Sequence, residues 1–281
     1  LSAVREQMVK KHQHEYEYNE IEHDYKELLI PAGENGTHLL DKNALHIWPR
    51  GEFMLIALAN LDGSFTCTLF APKKDKNSFE GLNSKQEVEN YFTSIFPDFI
   101  SLVPDLYQQW NANPTSALGN VKTYPWHIKD TSILIGDAAH ATVPFYGQGM
   151  NAGFEDCRIL DELLDEFGDD LKGCFDEYSK QRKPNADGLQ DLSMQNFVVM
   201  RDGTADPKFL LQKKIEKKFA NLYPEKWIPL YTMVSFTNIS YADAWKIGMK
   251  QEKMMQSVMS TPNIEEIWES DKIMQKMCSL V

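Results

Sequence analysis

Asp137, Pro144, Gly147 and Gly149 fall close together in the run SILIGDAAHATVPFYGQGMNAGFEDC, residues 132–157. Residues 132–135 are apolar and β-branched, which predicts one short, buried parallel strand. A carboxylate directly after such a strand occupies the usual ligand position of an open α/β sheet. Apolar residues then recur at helical spacing (Cys157, Leu160, Leu164 and Phe167, with Leu163 beside them), which predicts a helix starting just after the glycines. Glycines ahead of a helix let bare backbone N–H groups approach a ligand, and the helix dipole adds partial positive charge at that end. The segment can therefore hold an electron-rich group between an acid and a helix start. On the residues alone, an ordinary strand–loop–helix whose glycines only turn the chain explains the same pattern.

The run GDAAHATVPFYGQGMNAGFED resembles the second flavin-binding motif of the aromatic-ring hydroxylase flavoproteins. Three more blocks, residues 46–70, 182–197 and 227–236, resemble one branch of that family in the expected order, so the likeness covers most of residues 1–236. The resemblance implies an α/β (α+β) fold. It comprises part of a FAD-binding Rossmann-like domain (1–12 and 121–200), a mixed β-sheet substrate domain (13–120) and a C-terminal helical region (201–281). It implies FAD as cofactor and NADPH as reducing co-substrate. It further implies transfer of one oxygen atom from O2, activated at the flavin C4a carbon, to L-kynurenine. Asp137 would bond the ribityl side of the flavin, with Gly149, Met150 and Asn151 at its pyrimidine edge. Pro144, Phe145 and Gln148 would lie beside the substrate. Asn196 and Tyr231 would hold its amino-acid end, and Met200, Leu58 and Phe70 would line its pocket. No side chain is required as a strong acid or base, and no metal is expected. Val199 stands where some relatives carry an acid. Another aromatic-ring hydroxylase, or a binding remnant without turnover, remains an alternative reading.

The elements that must position these residues are legible to different degrees. Residues 53–59 and 64–70 read as a hairpin about Asp62-Gly63, with Ile56 and Leu58 on one face. Residues 84–96 read as a helix opened by a capping box, Ser84 with Glu87. Tyr16 and Tyr18 alternate as on a half-buried strand, and residues 25–30 read as a further strand. The nearby His12, His14, Glu15, Glu17 and His23 lack a recognised ligand spacing. Residues 175–178 read as part of one helix, and residues 181–184 resemble the point where this family starts its next long helix, roughly 187–200. Beyond Asp202 the chain reads as helical, with residues 213–219 amphipathic and residues 247–281 methionine-rich.

Composition bounds the partners. The 281 residues carry a net charge of −12, against a nucleic-acid surface, and no apolar run approaches the ~20 residues of a spanning helix. Four scattered cysteines with no CxxC pair suit a reducing, cytosol-facing setting. Eukaryotic members of the resembled branch carry a C-terminal tail that attaches them to the mitochondrial outer membrane, and no such tail is recognised here. A homodimer is compatible with the reading. The G-x-G-x-x-G phosphate fingerprint does not occur in these residues, which suggests a piece of a longer chain.

Overall fold

The structure is a computed structural model that describes residues 2–12, 14–74 and 77–281, without the side chain of His12. Asp75 and Lys76 of the charged loop, Leu1 and Gln13 therefore lie outside the described residues. In chain order the regular elements are α1 (Ala3–His12), β1 (Glu15–Ile30), β2 (His46–Pro49), β3 (Met54–Ala59), β4 (Phe65–Pro72), α2 (Lys85–Ile95), α3 (Pro97–Ile100), α4 (Leu106–Ala112) and β5 (Thr115–Tyr124). Then follow β6 (His127–Ile128), β7 (Ser132–Ile133), α5 (Asp137–His140), α6 (Gly149–Phe167), α7 (Leu171–Arg201), α8 (Pro207–Leu222), α9 (Leu230–Phe236), α10 (Tyr241–Met259), α11 (Ile264–Ile267) and α12 (Asp271–Leu280). The class is mixed α/β with an antiparallel sheet. Two compact units form: residues 1–19, 119–197 and 206–281 in the first, and residues 20–118 and 198–205 in the second.

The second unit holds β2, β3, β4 and most of β1 of a five-stranded sheet ordered β2-β3-β4-β1-β5. The expected hairpin is present. Gly63 has φ +92°, a conformation that favours glycine, and Ala59 pairs with Phe65 across the turn. Alternation sends Leu55, Ala57, Phe65, Cys67 and Leu69 into one core. There they meet Val88 and Phe92 of α2, and Phe96, Phe99 and Trp110. The predicted capping box opens α2: Glu87 N–H donates to Ser84 Oγ, and Ser84 N–H donates to the Glu87 carboxylate. The two expected strands on either side of His23 form a single 16-residue β1, whose Tyr16 and Tyr18 are exposed rather than half-buried.

Within the first unit, Met8, Trp126, Leu134, Leu163, Cys174 and Tyr178 form one core. Ile215, Phe219, Trp227, Met255, Met274 and Met277 form another. Met254, Met255, Met259, Met274 and Met277 of the C-terminal helices are thus packing residues, filling gaps between α8, α10 and α12. Two expectations are corrected. Residues 132–135 do not make a parallel strand: β7 has two residues and pairs antiparallel with β6, and Ile135 is exposed. β-Branched residues favour extended backbone, but the partner that sets strand length and direction is non-local. The expected start of a new helix at residues 181–184 is also absent, because α7 runs 31 residues straight through Pro184. The flanking residues are held by long-range contacts: Arg182 is 2% exposed and ion-paired to α6, and Ala186 is buried. This tertiary anchoring outweighs the local cost of the proline, about 3 kcal/mol in an unsupported helix.

Candidate cofactor and substrate site

The segment from Gly136 to Asn151 is fixed by backbone conformation first. Gly136 (φ +56°) and Gly147 (φ +66°) occupy the left-handed region, so glycine is required at both turns. Between them lie α5, a 3-10 turn at Pro144–Tyr146, and then the start of α6. Three buried polar side chains tie this loop down. Arg5 Nη1 donates to the carbonyl of Ala138 at 2.9 Å, and Asn120 Oδ1 accepts from Val143 N–H at 2.9 Å. Gln190 Nε2 donates to the carbonyls of Val121 and Ala141 at 2.7 and 3.0 Å. Sequence reasoning missed all three, because their partners lie far away along the chain.

A buried ionic cluster locks the same turn from the other side. Asp156, 0% exposed, accepts from Gly136 N–H (2.8 Å) and His140 Nε2 (2.6 Å) on one oxygen, and from Arg182 Nε (2.7 Å) on the other. Arg182 also pairs with Glu155 at 2.8 Å. Burial alone pushes the Asp156 carboxyl up, but the hydrogen bonds and charge of His140 and Arg182 outweigh it and hold the group below the usual carboxylate range. The inward face of α6 carries Ala152, Asp156 and Leu163, with Leu160 and Phe167 packed against the core beside them, whereas Cys157 and Leu164 are exposed. The expected helical period is present, and Leu160, Leu163 and Phe167 of the apolar set turn to the core.

Asp137 itself begins α5 and is exposed, so its carboxylate is open to a ligand. At the start of α6 the N-cap residue Gln148 makes no side-chain capping bond, which leaves first-turn amides at Gly149, Met150 and Asn151 for an external acceptor. A Cβ placed on Gly147 would meet nothing within 4 Å, and one on Gly149 only Thr142 Cγ2 at 3.5 Å. An exposed acid and an uncapped helix start with clear space above it are a donor and acceptor set that suits a flavin's hydroxyls and its electron-rich ring edge.

Several of the residues expected at the substrate are brought together in the first unit. The Phe145 ring stacks on Phe197 at 4.4 Å, and Asn196 Nδ2 donates to the Phe145 carbonyl at 2.7 Å. Tyr146 stacks on Tyr231 at 5.8 Å, and burial pushes the Tyr146 phenol pKa up. Tyr231 keeps half its surface exposed, and Pro144 is exposed beside the turn. Gln148 Oε1 accepts from Asn151 Nδ2 at 2.9 Å and from the Tyr241 hydroxyl at 3.1 Å. These three residues, with Glu155, Arg158 and Ser235, line a cavity of about 620 Å³. Tyr241 was not anticipated, since no motif marks it.

The remaining three expected residues belong to the second unit. Leu58 and Phe70 lie on the same sheet face, opposite the core, with Ile56 and Thr68 paired between them. Phe70 is 2% exposed beside Met54 and Tyr25, while Leu58 is 51% exposed. Met200 is buried near the end of α7. Of the histidines and acids near residue 14, His14 Nε2 lies 3.0 Å from the His127 carbonyl. No metal-binding group of three or more ligand residues exists among the described residues.

Solved structures share this fold. The tetrameric form of 2-methyl-3-hydroxypyridine-5-carboxylic acid oxygenase superposes with TM-score 0.55 at 18% identity, covering 70% of this chain and 53% of that one. The 2,6-dihydroxypyridine-3-hydroxylase of Arthrobacter nicotinovorans gives 0.53 at 12% identity, covering 72% and 56%. The fold is thus one that these two proteins share. Residues 53–193 match the FAD binding domain family, to which this chain belongs. The chain is 51% identical over 281 residues to the kynurenine 3-monooxygenase of Flavobacterium johnsoniae, and 43% identical over 260 residues to that of Sus scrofa. It spans 63% of the length of the former relative and 54% of the latter.

Proposed function

We propose that the protein containing this chain is a kynurenine 3-monooxygenase, which hydroxylates L-kynurenine ortho to its aromatic amine using FAD, NADPH and O2. Identity of 51% sustained over the whole chain carries the reading. The exposed Asp137 and the uncapped start of α6 support a flavin position between them. When bound and reduced by NADPH, FAD supplies activated oxygen to the substrate ring. The chain's residues bind, orient and shield. Asp137 accepts hydrogen bonds from the ribityl hydroxyls. The amides of Gly149, Met150 and Asn151 face the pyrimidine edge and favour negative charge there. Phe145, held by Asn196 and Phe197, presents an apolar edge with Pro144, while Gln148 and the Tyr231 hydroxyl supply polar contacts to the substrate. Leu58, Phe70 and Met200, of the second unit, are carried as apolar lining residues on the resemblance alone. The four cysteines are free, and no helix among the described residues is long and apolar enough to cross a membrane.

The test is an assay of the full-length protein for kynurenine-stimulated NADPH oxidation, with product identified by mass. Formation of 3-hydroxykynurenine is expected. Flavin-bound protein that ignores kynurenine but turns over another phenol or aniline would overturn the substrate assignment. In the same protein, Asp137→Ala removes a hydrogen-bonded charge and should weaken FAD binding by roughly tenfold or more. Unaltered flavin content after gel filtration would remove Asp137 from the site.

A further inference from the structure

Asp156 has no place in the ligand contacts above, yet its arrangement is costly to build. A buried carboxylate loses several kcal/mol of hydration, and apolar residues of similar volume often serve stability as well or better. Here the charge is fully occupied. Both oxygens are engaged, by Gly136 N–H, His140 Nε2 and Arg182 Nε at 2.8, 2.6 and 2.7 Å. Arg182 is itself buried, and its remaining donors reach Glu155 at 2.8 Å and the Ala152 carbonyl at 3.3 Å. The backbone of the turn lies directly on α6: a Cβ on Gly153 would come 3.9 Å from Gly136 Cα.

The target of these bonds is specific. Gly136 immediately precedes Asp137, and His140 ends the short α5 that Asp137 begins. Asp156 lies two turns into α6, whose first turn offers the free amides. One carboxylate thereby ties the acid-bearing turn to the helix start, setting the spacing between the two candidate flavin contacts. We propose that Asp156 is the positioning residue of the flavin-facing turn. It acts through Gly136 and His140 and is held in one orientation by Arg182. The proposal rests on the reading that Asp137 and the α6 start contact FAD. An aspartate in a helix next to Glu155 offers no sequence cue to this role, since most such acids are solvated.

The experiment uses the full-length protein, stripped of flavin and titrated with FAD, with three readouts: dissociation constant by flavin fluorescence, visible spectrum of the bound flavin, and melting temperature of the apo form. Asparagine at 156 cannot accept from all three donors, because its amide nitrogen must face either Arg182 or the Gly136–His140 pair. Asp156→Asn should therefore raise the FAD dissociation constant roughly tenfold to a hundredfold and alter the flavin band. His140→Leu should weaken FAD similarly. His140→Gln, which restores an N–H donor toward Asp156, should bring the constant back to within about threefold of wild type. The histidine pair carries the test if Asp156→Asn does not fold. Loss of apo melting temperature in Asp156→Asn and His140→Leu, with FAD affinity and spectrum unchanged, would reduce the cluster to a structural clamp and overturn the proposal. Equal weakening by Gln and Leu at 140 would overturn it too. Failure of the underlying reading looks different: Asp137→Ala would then bind FAD as tightly as wild type.

Discussion

The Asn196 amide is proposed to serve both a loop and a substrate. Its Nδ2 donates to the Phe145 carbonyl at 2.7 Å, so it fixes the turn that carries Phe145. Asn196→Ala loses a hydrogen bond worth about 1 kcal/mol. Asn196→Asp places a carboxylate against that carbonyl and should be the more damaging change. In the full-length enzyme both variants are expected to raise the KM for kynurenine, aspartate more than alanine. An unchanged KM in Asn196→Asp would remove the residue from the site. Asp156 carries a different signature, in pH. Its folded pKa is depressed, so its contribution to stability is fully present above the unfolded carboxyl value of ~3.9 and is lost as pH falls through the lower folded value. Asp156→Asn should therefore lower the melting temperature at pH 7, and its melting temperature should fall less steeply than the wild type's below about pH 4. Parallel wild-type and mutant curves from pH 7 to pH 3 would show that Asp156 is not the linked group.

At the scale of elements, close helix contacts outweigh intrinsic propensity. A Cβ on Gly188 of α7 would lie 2.9 Å from both Cα and N of Ala242 in α10, and backbone there cannot rotate away. Gly188→Ala gains up to about 1 kcal/mol of helix propensity but incurs overpacking of about 1–3 kcal/mol. Net destabilisation of about 1 kcal/mol or more is expected in a denaturant titration, and a more stable variant would mean that the helices part freely. What the sequence made legible at this scale was local. The Ser84–Glu87 box marked α2, Asp62-Gly63 marked the hairpin, and Gly147 with Gly149 marked the start of α6. What stayed hidden was settled by residues distant in the chain. Arg182 reaches Asp156 from 26 positions away and so draws that one acid of α6 inward. The same contact helps carry α7 through Pro184, and β7 stops after two residues because its described pairing is with β6 alone. The candidate site divides in the same way: the glycines and Asp137 were readable as a motif, whereas Tyr241 and the loop-holding Gln190, Asn120 and Arg5 were not.

Across the whole molecule, cofactor binding should couple to folding. The proposed flavin contacts all lie in the first unit, where α5, α6 and α7 share Asp156, His140 and Arg182. A ligand that binds only the folded state stabilises it by RT ln(1 + [L]/Kd), about 2.7 kcal/mol at a hundredfold excess over Kd. For domains of some 150–250 residues this corresponds to a rise of roughly 5–10 °C in melting temperature. The 281 residues contain Asp137 and the α6 start but no G-x-G-x-x-G phosphate cradle, the feature that contributes most to dinucleotide affinity in such folds. The full-length protein should therefore show the complete FAD-dependent rise. This chain expressed alone should need FAD at far higher concentration to show any, and Asp137→Ala should abolish what remains. A rise in the isolated chain at the concentration that saturates the full-length protein would mean that the acid-bearing turn and the start of α6 hold the cofactor by themselves.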